Sequence, residues 1–150
     1  MFRTCFTALS VVSALFAVLL TPSAAAESVD FGDYEVHYSI FASSFLQPEI
    51  AAENGLNRSK SIGIINISIM EETEDGGLRT VGGQVEGKVL NDIQQQRFLA
   101  FRRISEGDAV YYIAEFQYRN AELLTFHVTA RPQGGGSDLP IRVAHTLYND

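Results

Sequence analysis

The sequence predicts an all-β domain, an immunoglobulin-like antiparallel sandwich, on three observations. Seven short alternating or apolar runs are separated by turn residues, the pattern of an antiparallel sandwich. Only one short segment carries helix start and stop signals, and no amphipathic helix is long enough to form a layer. Asp108-Ala109-Val110-Tyr111-Tyr112 resembles the strand entry that carries a tyrosine corner, with Ala114 where an antibody domain would have its second cysteine. An eight-stranded closed barrel is the alternative architecture.

The first run sets Tyr34, Val36, Tyr38 and Ile40 on one face and Glu35, His37 and Ser39 on the other. The segment Gln47–Gly55 has proline near its start, helix formers within and Asn-Gly at its end. It predicts a short helix bridging the first strand and the central one, lying across an open end of the sandwich. Ile62 to Met70 is almost continuously apolar and reads as a central strand covered on both faces. Glu71 to Gly77 then makes a solvated turn, in which Asp-Gly supplies the tight reversal.

Leu78 to Leu90 is the next strand, with Val81, Gly83, Val85, Gly87 and Val89 on one face. Gln96 to Ile104 alternates Phe98, Ala100 and Arg102 against Leu99, Phe101 and Arg103. Asp108 to Tyr118 follows, with Tyr112, Ala114, Phe116 and Tyr118 co-facial. Arg119-Asn120-Ala121 forms a hairpin loop that returns through Leu124, Phe126, Val128 and Ala130. Pro132 and Gly134-Gly135-Gly136 precede a last strand on which Ile141, Val143, His145 and Leu147 share a face. No fixed-period repeat is present, which excludes solenoids and propellers.

The N-terminal end carries an export pattern. Arg3 gives a positive start, Phe6 to Leu20 holds no charge, Thr21-Pro22-Ser23 breaks the helix, and Ala24-Ala25-Ala26 offers small residues for cleavage. Residues 1–26 are therefore expected to be a signal peptide cleaved after Ala26, leaving residues 27–150 as one domain in the periplasm rather than outside the cell. The apolar run is short for a membrane span, so no stable anchor is expected after cleavage. Cys5 precedes that run and is not placed for lipidation. Because Cys5 leaves with the leader, the mature chain has no disulfide, thiol nucleophile or thiolate ligand. It carries 10 Lys and Arg against 18 Asp and Glu, a net charge of −8 with histidines neutral. Such a balance disfavours nucleic acid and anionic lipid surfaces.

Enzyme signatures are missing: there is no Gly-x-Ser-x-Gly, no His-Glu-x-x-His and no phosphate loop. No catalytic residue and no cofactor are assigned. His37, His127 and His145 share no short ligand spacing, so no metal site is expected. His37 and His127 fall on polar strand faces, His145 on an apolar one. The acidic run at 71–75 lacks the ligand spacing of a dedicated calcium loop. Glu35 and Glu115 are strand carboxylates that nothing in the sequence brings together. The adjacent Arg102 and Arg103 cannot both face the core, and at least one is free to salt-bridge to the acidic surface or simply to serve solubility. Gly83 and Gly87, inside a strand, mark either tight packing or the approach of a ligand. Asn66 lies in the apolar central strand and must find partners there. Its expected role is to satisfy the irregular backbone of Arg58–Lys60, so that Asn66→Ala would cost about 1–3 kcal/mol.

Several segments together resemble a known family. These are Phe31–Tyr38, Phe45–Ala51, Asn57–Lys60, Asn66-Ile67-Ser68 and Gly107–Phe116, in that order along the whole mature chain. The family is the secreted proteobacterial one known as domain of unknown function 4426. The resemblance implies export and the sandwich fold, supplies no activity, and nominates His37, Tyr38, Arg58, Lys60 and Asn66 as binding residues. Two functions follow as expectations. One is a non-catalytic module that binds an exported protein or peptide, through a sheet edge. The other is a small-molecule-binding or enzymatic domain using a groove near Gly83 and Gly87, with His37 or Arg58 as polar anchor. A purely structural or stress-related role is a third. Partner identity and oligomeric state are not legible.

Overall fold

The computed structural model describes residues 27–149, so the expected signal peptide, its expected cleavage after Ala26 and Cys5 lie outside the described residues. Alternation dictates the architecture: Val36, Ile40, Ile65, Ile67 and Ile69 from one sheet face Val89, Leu99, Phe126, Val128 and Ile141 from another, all buried in one core. It is the antiparallel sandwich expected. Its strands are β1 (Glu27–Asp30), β2 (Tyr34–Ala42), β3 (Ile62–Glu72), β4 (Leu78–Val81), β5 (Gly83–Leu90), β6 (Gln96–Leu99), β7 (Arg102–Glu106), β8 (Ala109–Gln117), β9 (Glu122–Pro132) and β10 (Leu139–Leu147). Sheet A runs β1-β2-β3-β8-β7, with β4 also paired to β3; sheet B runs β10-β9-β5-β6.

The seven runs read from the sequence are all present, and two of them change sheets. Leu78–Leu90 is interrupted at Gly82: β4 pairs with β3, whereas β5 pairs with β9. Gln96–Ile104 is interrupted at Ala100 and Phe101: β6 pairs with β5, whereas β7 pairs with β8. An eighth run, β1, adds an edge strand that its four mixed residues did not announce. The barrel alternative is not what forms, because the two sheets stay separate.

Between β2 and β3 the chain makes a 3-10 turn over Ser43–Phe45 and the helix α1 (Pro48–Glu53). Proline stands in the first turn of α1, where its missing N–H costs nothing, and Gly55 just beyond it adopts φ 63°. The helix does not plug an open end of the sandwich, as expected, but lies on the outer face of sheet A. There Ala51 and Leu56 bury against Ile64, with Phe41, Leu46 and Ile113 around them. This second cover explains the continuous apolarity of β3. Its odd residues enter the sandwich and Ile64 meets the helix.

Tyr112 does not close a local tyrosine corner. Its hydroxyl accepts from Gly83 N at 2.8 Å and donates to Gly83 O at 2.8 Å. The phenol therefore ties sheet A to the point where the chain enters sheet B.

Candidate functional site

The residues nominated from sequence do not form one site. His37 stands on the outer face of sheet A, its Nε2 2.8 Å from Glu35 Oε2 on the same strand. Tyr38 points to the opposite face and donates to Glu27 Oε2 at 2.5 Å. Burial, that bond and the nearby Glu27 charge push its pKa up to about 12. Arg58 is structural: its Nε donates to Leu46 O at 2.8 Å and a terminal nitrogen donates to Ser44 O at 3.1 Å. Lys60 is exposed in the same connection. Only Asn66 shares a face with His37, since Ser39 pairs with Asn66 and His37 with Ser68.

Asn66 does not serve the Arg58–Lys60 backbone. Ser43 does, its hydroxyl donating to Ser59 O at 3.0 Å and accepting from Ser59 N at 2.8 Å. The Asn66 side-chain oxygen is buried and accepts no hydrogen bond from the described residues. Glu35 and Glu115 are likewise apart in function, the first engaged by His37 and the second by Arg102 at 3.3 Å.

The space above the Cα atoms of Gly83 and Gly87 is taken by the neighbouring strand. A Cβ on Gly83 would collide with the carbonyl of Arg131, and one on Gly87 would stand 2.7 Å from His127 O. Both glycines are there because the backbone of β9 passes close against β5. His145 faces inward as the alternation requires, and burial lowers its pKa below the ordinary histidine value against a smaller opposing effect of Glu27.

The open part of the molecule lies where β6 and β8 face each other across the seam between sheets. Strand β8 pairs with β3 over Tyr112–Gln117, but with β7 only over Ala109–Ile113. On that side the edge of Ala114–Gln117 has no strand partner among the described residues. Successive residues of a strand turn their backbone N–H and C=O to opposite edges, so two of these four present unpaired groups there. Beside this edge is a cavity of about 400 Å³ lined by Asn57, Ile62, Val89, Leu99, Phe116 and their neighbours. A second cavity, of about 590 Å³, adjoins it around Ile93, Arg119 and Glu122, sharing Val89, Arg97 and Gln117. Arg97 donates to Gln117 Oε1 at 3.3 Å across the mouth. Phe98, on the free edge strand β6, is 83% exposed at the rim. Sequence reading missed this seam because nothing at Ala100-Phe101, neither glycine nor proline, signals the change of sheet that opens it.

The family profile of DUF4426, a domain of unknown function, matches residues 28–150. The chain belongs to the DUF4426 family. A solved DUF4426 family protein from Pseudomonas aeruginosa PAO1 is 34% identical to it, with a TM-score of 0.72 over 83% of this chain and 96% of that chain. Two solved structures of FetP from uropathogenic Escherichia coli strain F11 share the fold at low identity. A copper-bound variant is 12% identical with a TM-score of 0.58, covering 81% of this chain and 93% of its own. FetP as isolated, recombinantly expressed in the periplasm, is 11% identical with a TM-score of 0.60, covering 83% and 94%. No curated protein matches this DUF4426 chain. Among its described residues no helix is long and apolar enough to cross a membrane, and no group of three or more His, Cys, Asp or Glu is gathered as metal ligands would be. Copper is a property of that neighbour.

Proposed function

We propose that this protein is a non-catalytic module of the periplasm that takes up an extended segment of an exported protein or peptide along the free edge of β8. The observation that carries the reading is the half-paired strand: Ala114–Gln117 offers a backbone template directly beside an apolar cavity. Strand addition draws affinity from main-chain hydrogen bonds and specificity from pockets that accept alternate side chains. A segment laid in line with β7 would turn every second side chain toward Leu99, Phe116 and Val89, and would cover the seam. An apolar residue at alternate positions is the chemistry that this cavity selects. The export pattern of the first 26 residues supports the compartment.

Site-specific photo-crosslinking tests this. A crosslinker at Gln117 should capture a discrete partner in cells, and one at Gln84, on the outer face of sheet B, should not. A synthetic peptide from the captured segment should then slow amide exchange at residues 114–117. Equal capture at Gln84, or unprotected amides at 114–117 with the peptide bound, would refute the reading.

A further inference from the structure

Three cation-forming residues stand in one row across the outer face of sheet B. Lys88 on β5 pairs with His127 on β9, and His127 pairs with Arg142 on β10. The flanking residues Val89, Phe126, Val128, Ile141 and Val143 belong to the core, so alternation turns these three outward. Adjacent strands lie about 4.8 Å apart, which puts the Cα atoms of Lys88 and Arg142 about 10 Å from each other with His127 on the strand between them. Like charges facing each other across strands are destabilising, and none of the three has a carboxylate partner among the described residues. The Lys88 ammonium donates to the neutral Gln96 Oε1 on β6, at 3.3 Å.

This is not for want of acid in a chain with 18 Asp and Glu. Glu86 shares the face and lies two residues from Lys88, but it is turned to Arg131 at 2.8 Å. Arg131 also holds Asp138 at 3.0 Å. One arginine thus draws the nearby carboxylates aside and leaves the row positive. Thr125 and Thr129 flank His127 on the same face and add hydroxyl donors two residues away on either side.

We infer that Lys88, His127 and Arg142 form a binding site for a phosphate-class oxyanion, held above the imidazole between the ammonium and the guanidinium. Charge-assisted bonds of this kind are the strong ones, and a guanidinium matches a phosphate by two parallel bonds. The same chemistry could be presented by a phosphorylated solute or by a lipid headgroup. This site is separate from the β8 edge and stands or falls apart from it.

The test is a titration of the purified mature protein with inorganic phosphate, followed by the His127 ring resonances in NMR. Co-sedimentation with phosphatidylglycerol vesicles runs in parallel. Saturable shifts with free phosphate identify a solute, and vesicle binding without them identifies a headgroup. Lys88→Gln and Arg142→Gln should each weaken whichever binding is seen by about tenfold or more. Arg79→Gln, on the other sheet, should leave it unchanged. Absence of saturable binding to both probes overturns the inference, as does binding that survives both substitutions in folded variants.

Discussion

Tyr112 shows what a single polar atom does in this sandwich. Its hydroxyl satisfies both the N–H and the C=O of Gly83, at the residue where the chain passes from one sheet to the other. Tyr112→Phe keeps the packing and leaves two backbone groups without their partner. It should lower stability by about 1–3 kcal/mol, read as a lower urea midpoint with an unchanged slope. An unshifted midpoint would mean that water replaces the phenol without loss. Asn66 is the opposite case. Its buried oxygen has no partner to lose, so Asn66→Ala should fall within about 0.5 kcal/mol of the wild type, measured in the same urea series. The sequence announced that Asn66 was out of place in an apolar strand, and that was legible from composition alone. What it could not show was Ser43, because a 3-10 turn brings that hydroxyl to Ser59 from 16 residues away.

The connection carrying α1 stays in place through side chains more than through its own length. A six-residue helix is too short to be stable by itself. It is held from below by Ala51 and Leu56 on Ile64, and at its start by the fork of Arg58 on Leu46 O and Ser44 O. Arg58→Ala should therefore raise hydrogen exchange across residues 44–56 while sparing β3. Arg58→Lys should rescue it poorly, since an ammonium cannot span two carbonyls as the planar fork does. Full rescue by lysine would make charge alone the cause. The helix itself was legible from Pro48 and the Asn54-Gly55 stop. Its seat was not, because the sequence shows that Ile64 is apolar but not that it faces outward.

For the molecule as a whole, two groups bend the stability curve at opposite ends of the pH scale. Burial lowers the His145 pKa, so the unfolded chain binds its proton more readily. The contribution of His145 is present above its ordinary value of 6.5 and is lost as pH falls. Tyr38 titrates at about 12 when folded and near 10.0 when not, so its contribution is present below pH 10 and is lost as pH climbs toward 12. Denaturation midpoints against pH should show both losses, with His145→Gln flattening the acid side and Tyr38→Phe the alkaline side. Unchanged profiles in these variants would assign the losses elsewhere. The runs of alternating residues were readable one by one, and so was their sum as a sandwich. Which run pairs with which was not, because register between strands far apart in sequence leaves no local mark, and Gly82 reads equally well as a turn or as a crossing. The two crossings also bear on how the chain assembles. Gly83 must meet Pro132, and Ile62 must meet Gln117, before the two sheets can be completed. Neither sheet is a continuous stretch of chain, so completing either one closes a loop over strands of the other. Such distant pairings slow folding toward the millisecond-to-second range, roughly, of all-β sandwiches. Until Pro132 is available, β5 is an open template exposed to any passing strand.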